Sequence, residues 1–136
     1  MVQLSRSVDF REAHLPGALW GVRTRLAGLA PRLAGDRAVV VVAPEDAMAR
    51  LAVPGLQALV PAPVKVLEGG LAAWKAAGLP LRADRHTPTD ANCIDVYLRP
   101  YDRNDGVEAA MREYLSWEID LVHEVARDGD ARFGLA

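Results

Sequence analysis

A single cysteine, Cys93, is the only thiol in the 136 residues. One thiol cannot close an internal disulfide, so a disulfide-stapled scaffold is excluded, and a reducing, cytoplasmic setting is the expectation. Aromatic residues are scarce, at 6% of the chain, while hydrophobic residues of all kinds make up 51%. The core must therefore be largely aliphatic, and its Ala and Leu content leans toward helix. No charge of one sign dominates: 16 basic against 18 acidic side chains leave a formal −2. That excludes a basic nucleic-acid face. The longest strongly apolar run, Ala38 to Ala43, is far too short to span a bilayer, and Met1 to Arg6 has no signal-peptide stretch. The three histidines, His14, His86 and His123, are scattered and have no cysteine pair beside them, so no metal site is expected. Ser5, Ser7 and Ser116 lie in no nucleophile-elbow context, and no phosphate-binding glycine loop occurs. No cofactor is expected.

What is present reads as alternating strand and helix within one domain's length. Val2 to Leu4 is a short strand, and it opens the chain so abruptly that an N-terminal truncation is the expectation. Ser7 to Ala13 is a short helical turn with Ser7 as its N-cap. Pro16-Gly17 then breaks it. Gly21 to Leu33 has helical spacing, with Val22, Leu26, Leu29 and Leu33 on one face. Ala38 to Val42 is β-branched without polar alternation, the pattern of a central strand buried on both faces. Pro44 suits the first position of the next helix, which runs toward Val60 with Pro54-Gly55 kinking or splitting it. Val64 to Leu67 is a second buried strand. Leu71 to Ala77 is a helix closed by Gly78. Residues 82 to 105 form a polar extended arm. Val107 to Arg127 is the strongest helix, with Val107, Ala110, Met111, Tyr114, Leu121, Val122 and Val125 on one broad face. The whole predicts an α/β fold with a mostly parallel sheet flanked by helices and a C-terminal extension helix. A core over 1–81 and an arm plus helix over 82–136 form one domain.

Two motifs frame the central strand. Asp9-Phe10-Arg11-Glu12-Ala13-His14-Leu15-Pro16-Gly17-Ala18 resembles the rhodanese pattern of a short helix ending in His-Ile-Pro-Gly-Ala. Val66-Leu67-Glu68-Gly69-Gly70-Leu71-Ala72-Ala73-Trp74, running on to Gly78-Leu79-Pro80, resembles the closing rhodanese motif. The resemblance covers residues 2 to 81. Physically, His14, Pro16, Gly17, Gly69, Gly70 and Trp74 read as fold residues. The paired glycines let the chain reverse, and Trp74 folds back to plug the core. Tyr97 to Tyr101 and the helix around Tyr114 to Glu118 resemble the tail of bacterial proteins built from tandem rhodanese domains. By that resemblance, this is the last domain of such a chain.

The resemblance also implies a chemistry. An active rhodanese domain places a cysteine directly after the central strand, and a loop of the type Cys-x-x-Gly-x-Arg curls around its sulfur. Backbone N–H groups and a helix N-terminus stabilise the thiolate or persulfide. The corresponding stretch here is Ala43-Pro44-Glu45-Asp46-Ala47-Met48. A methyl group cannot be a nucleophile, and Pro44 removes an N–H donor. Glu45 and Asp46 repel an anionic donor, and the loop has no glycine. Cys93 lies outside the loop, between Asp90 and Asp95, and reads as an ordinary free thiol. The expectation is a catalytically inactive rhodanese-like module that packs against sister domains, another protein or a second copy of itself. The alternative is a thiosulfate or persulfide sulfurtransferase that uses Cys93 or a cysteine of another domain.

Overall fold

A computed structural model describes residues 1–129. They divide into two compact units, Met1–Tyr97 and a second beginning at Leu98.

The first unit is built on a four-stranded, all-parallel sheet in the order β2-β1-β3-β4: β1 (Val2–Leu4), β2 (Leu19–Gly21), β3 (Val39–Val42) and β4 (Val64–Val66). Val2 pairs with Leu19 on one side and with Val41 on the other, and Val39 pairs with Val64. Side chains alternate across a strand. Val2, Leu4, Val39 and Val41 therefore share one face, and they pack with Ala49, Ala52 and Leu56 of α3 (Asp46–Gln57). Gln3 points the other way and is buried, yet both ends of its amide are used. Its Nε2 donates to the Ala13 carbonyl at 3.3 Å, and its Oε1 accepts from the Leu15 N–H at 3.1 Å. It thus ties β1 to the turn that leaves α1 (Ser7–Glu12).

The expected β3–α3–β4 unit is present, with its two strands as parallel neighbours. β4, however, is a sheet edge rather than a second buried strand: Val64 and Val66 are half-buried and Lys65 is exposed. α3 begins at Asp46, with Glu45 as its N-cap, so Pro44 precedes the helix instead of opening it. The helix continues through Pro54 to Gln57. Pro54 has no N–H to donate, and the helix stops less than one turn later.

The stretch expected to be one helix from Gly21 to Leu33 is three pieces. Gly21 ends β2, a 3-10 run covers Arg23–Leu29 with a break at Arg25, and α2 covers Ala30–Leu33. Gly21 is buried against Leu29 and Val2, where a β-carbon would lie 2.9 Å from Leu29 Cδ1. Pro31 sits in the first turn of α2, where its missing N–H costs nothing. Periodicity alone therefore overran a strand at one end and a proline-started helix at the other.

Ser7 is not the cap of α1. Arg6 is the N-cap, and the Ser7 hydroxyl is buried without a hydrogen-bond partner among the described residues. The orphan donor at this helix start is the Ser7 N–H, and it is met by the Asp95 carboxylate at 2.7 Å, 88 residues further along. The arm that supplies Asp95 is not a loose surface strand. Arg11 is buried, and it donates to the Pro88 carbonyl at 2.6 and 2.9 Å and to Asp90 at 2.8 Å. His14 pairs with Arg82 in a backbone bridge.

In the second unit, Arg99 and Asp102 close a 3-10 turn over Pro100–Asp102, which packs against α5 (Val107–Asp128). α5 buries only Ala110. Met111 is half-buried, but Tyr114 and Leu121, on the same broad apolar face, are 38% and 40% exposed. The short turn offers too little surface to cover a stripe of 22 helical residues. Among the described residues no helix is long and apolar enough to cross a membrane.

Candidate functional site

β3 runs straight into Ala43, which is 2% exposed. Beyond it the carboxyl ends of β1 and β3 open into a cavity of about 340 Å³. In parallel α/β sheets this is the end of the strands where ligands bind. Leu4 and Ser5 line it from β1, and Val42, Ala43 and Pro44 from β3. Leu71, Ala72 and Lys75 line it from α4 (Gly70–Ala76), and Asp9 from α1. The polar side chains available are Gln3, already committed, with Ser5, Asp9 and Lys75. None is a thiol.

Three contacts shape the loop after β3. Gly70 lies against the Ala43 carbonyl, and a β-carbon on Gly70 would collide with that oxygen. Its φ of +52° is a second reason for glycine there. The Asp46 carboxylate accepts from the Gly69 N–H at 2.9 and 3.2 Å, fastening the first turn of α3 to the paired-glycine turn. Arg50 and Glu68 add an exposed ion pair at 3.3 Å. So Asp46, read from sequence as a repelling charge, is also a structural tie. Glu45, Ala47 and Met48 are exposed.

Asp9 brings negative charge to the cavity. Arg6 hydrogen-bonds its carboxylate at 2.7 and 2.9 Å and holds it below the usual carboxylate range. Asp9 opens the first motif, and that place gave no sign that it faces this cavity. Lys75 was likewise hidden as an ordinary helix position after Trp74.

His14 Nδ1 meets the Phe10 carbonyl at 2.7 Å, and its ring stacks on Phe10 with centroids 4.3 Å apart. Gly17, at φ +74°, makes the turn after Pro16. Trp74 differs from expectation: it is half-buried and does not plug the core. Its Nε1–H donates to the Pro80 carbonyl at 2.9 Å and holds the chain as it leaves α4. Cys93 is buried in the arm, with Sγ 3.4 Å from the Thr89 carbonyl, and does not line the cavity. His86 and His123 are exposed. Among the described residues no group of three or more His, Cys, Asp or Glu side chains is placed to hold a metal ion.

No protein-family model matches the chain, and no curated protein matches it. Solved structures do. A thiosulfate sulfurtransferase from Pseudomonas aeruginosa is 38% identical over 94% of this chain, with a TM-score of 0.73. The chain spans only 24% of that enzyme's length. A rhodanese-like domain of a protein from Anabaena sp. is 30% identical over 60% of this chain and 77% of its own, with a TM-score of 0.52. A Rhodanese_3-like domain from the same organism is 29% identical over 61% of this chain and 89% of its own, with a TM-score of 0.54. The sheet, the paired-glycine turn and these likenesses agree: the chain belongs to the rhodanese-like domain family.

Proposed function

We propose that the chain is a catalytically inactive rhodanese-like module with a structural or partner-binding role in a sulfurtransferase-related protein, the last domain of a bacterial multi-domain chain. The observation that carries this reading is Ala43. It sits at the end of β3, at the cavity where the family resemblance calls for a sulfur-carrying cysteine, and a methyl group can neither attack a sulfur donor nor hold a persulfide. Pro44 offers no N–H to an anion, and the Asp46 carboxylate already accepts from Gly69. The C-terminal segment supports a docking role. The likeness to the long Pseudomonas enzyme extends over 94% of the chain, whereas the Anabaena domains match 60% and 61% of it. The amphipathic helix α5, with its exposed apolar side chains, thus falls within the likeness to the longer relative. Sister rhodanese-like domains, another protein or a second copy are the partners it would take.

The rival reading is a thiosulfate or persulfide sulfurtransferase, and the 38% identity to an enzyme of that name favours it. It needs a cysteine from another domain, or a relay through Cys93. The burial of Cys93 against the Thr89 and Pro88 carbonyls speaks against the relay. A thiosulfate-to-cyanide assay on this chain and on Cys93→Ser separates the readings. The expected result is no turnover above background in either. Turnover in the chain that is abolished by Cys93→Ser establishes the relay. Turnover that survives the change overturns the assignment of Ala43 to the sulfur position.

A further inference from the structure

A second cleft, of about 440 Å³, lies between β2, the Arg23–Leu29 run and the arm. It shares no lining residue with the cavity at Ala43. Its volume falls in the range of small-molecule sites, roughly 300–1,000 Å³. We propose that this cleft binds a small organic anion, with its oxyanion group held by Arg25 and Arg32 and its apolar body lying against Trp20.

Charge complementarity sets the ligand class. The ionisable side chains among the described residues lining the cleft are Arg25, Arg32 and His86; no carboxylate is among them. Neither guanidinium has an ion-pair partner among the described residues, whereas Arg6, Arg11, Arg50 and Arg99 each have one. Arginine presents a planar fork of donors that matches a carboxylate, sulfonate or phosphate. The helical run breaks at Arg25, which leaves the regular helical backbone there.

The walls are built before any ligand arrives. The Trp20 indole is anchored by its Nε1–H, which donates to the Ser5 carbonyl at 2.9 Å. The arm forms the facing wall, and Arg11 clamps it at Pro88 and Asp90. Apolar area from Trp20, Leu29 and Ile94 rewards a ligand with a ring or hydrocarbon body over a bare ion. Gly28 lines the cleft with open space where its side chain would be, so the volume can be filled by substitution without disturbing neighbours.

The test uses phenyl phosphate as the probe, followed by calorimetry and by the Trp20 indole N–H resonance. Inorganic phosphate and benzyl alcohol separate the charge from the apolar body. Phenyl phosphate is expected to bind saturably and to shift the Trp20 resonance. Inorganic phosphate should bind about tenfold more weakly or worse, and benzyl alcohol should not bind. Combining Arg25→Gln with Arg32→Gln should weaken phenyl phosphate at least about tenfold while the melting temperature holds. Gly28→Leu should block the cleft with both arginines intact. Lys75→Gln, in the other cavity, should change nothing. The proposal is overturned if phenyl phosphate does not saturate, if binding survives both the double arginine change and Gly28→Leu, if inorganic phosphate binds as well, or if Lys75→Gln abolishes binding.

Discussion

On the proposed reading, Ala43 occupies the place of a sulfur-carrying cysteine with a side chain that cannot attack a sulfur donor. Restoring one atom is not expected to restore an enzyme. In Ala43→Cys the new sulfur would precede a proline without an N–H and, one residue further on, an exposed Glu45. The nearby Asp9 carboxylate, kept ionised by Arg6, opposes a second negative charge, and among the described residues the exposed Lys75 is the single cation lining the cavity. The thiol should therefore titrate no lower than the reference of about 8.5, and thiosulfate turnover should stay near background. Alkylation rate against pH measures this directly. A thiol titrating well below 7 would show that the cradle still works. Ser7 teaches the complementary lesson at the same scale. A serine before a helical run reads as a cap, but the capping carboxylate belongs to Asp95, 88 residues away. Sequence spacing sees local partners and is blind to such a long-range one.

At the scale of elements, the arm is fixed to α1 at two places, the Asp95 carboxylate on the Ser7 N–H and a buried cluster around Arg11. The side chains of Arg11 and Asp90 are 8% and 14% exposed, and the guanidinium also serves the Pro88 carbonyl. Removing one partner of such a pair strands the other in a low-dielectric site. Arg11→Met should lower stability by about 3 kcal/mol. It should also release the amides of residues 84 to 95 to hydrogen exchange before those of β1 and β3. Uniform loss of protection across the sheet would instead mean that the arm is part of one cooperative unit. The strands were legible because Val39 to Val42 is β-branched without interruption, and the paired-glycine turn was legible because two adjacent glycines have few other uses. β2 was not. Leu19-Trp20-Gly21 has three residues and no alternation to read, and it is a strand only because Met1 to Leu4 lies beside it. The second cleft was equally hidden, because its walls come from segments some 60 residues apart, and neither segment carries a motif of its own.

At the scale of the whole molecule, two surface properties follow. Asp9, Asp84 and Asp102 all have carboxylates held below their ordinary value, by Arg6, by the His86 N–H and by Arg99 respectively. A carboxylate whose titration is depressed on folding stabilises the native state above its unfolded value, and that contribution vanishes as pH falls through the folded value. All three groups are at least partly exposed to solvent, so each effect is small and screened by salt. Stability should be flat from pH 7 to about 5 and decline below about 4, with the decline softened by salt. Urea midpoints at two ionic strengths would measure it, and a loss beginning above pH 5 would point to histidine instead. The larger property is the apolar face of α5. Trp117, Val122 and Val125 are 58%, 67% and 44% exposed, and the Trp117 ring sits 6.2 Å from that of Tyr114. An exposed aromatic pair beside the apolar stripe of an amphipathic helix is a typical anchor for association. If the module works by docking, Trp117→Ala should shift sedimentation, or the binding of a separately expressed neighbouring rhodanese-like domain, while the melting temperature moves by less than about 2 °C. The small thermal effect follows from exposure, since truncating a side chain already in water leaves no cavity behind. A variant that melts far earlier with its association untouched would place Trp117 in the chain's own core and remove the docking face from the argument.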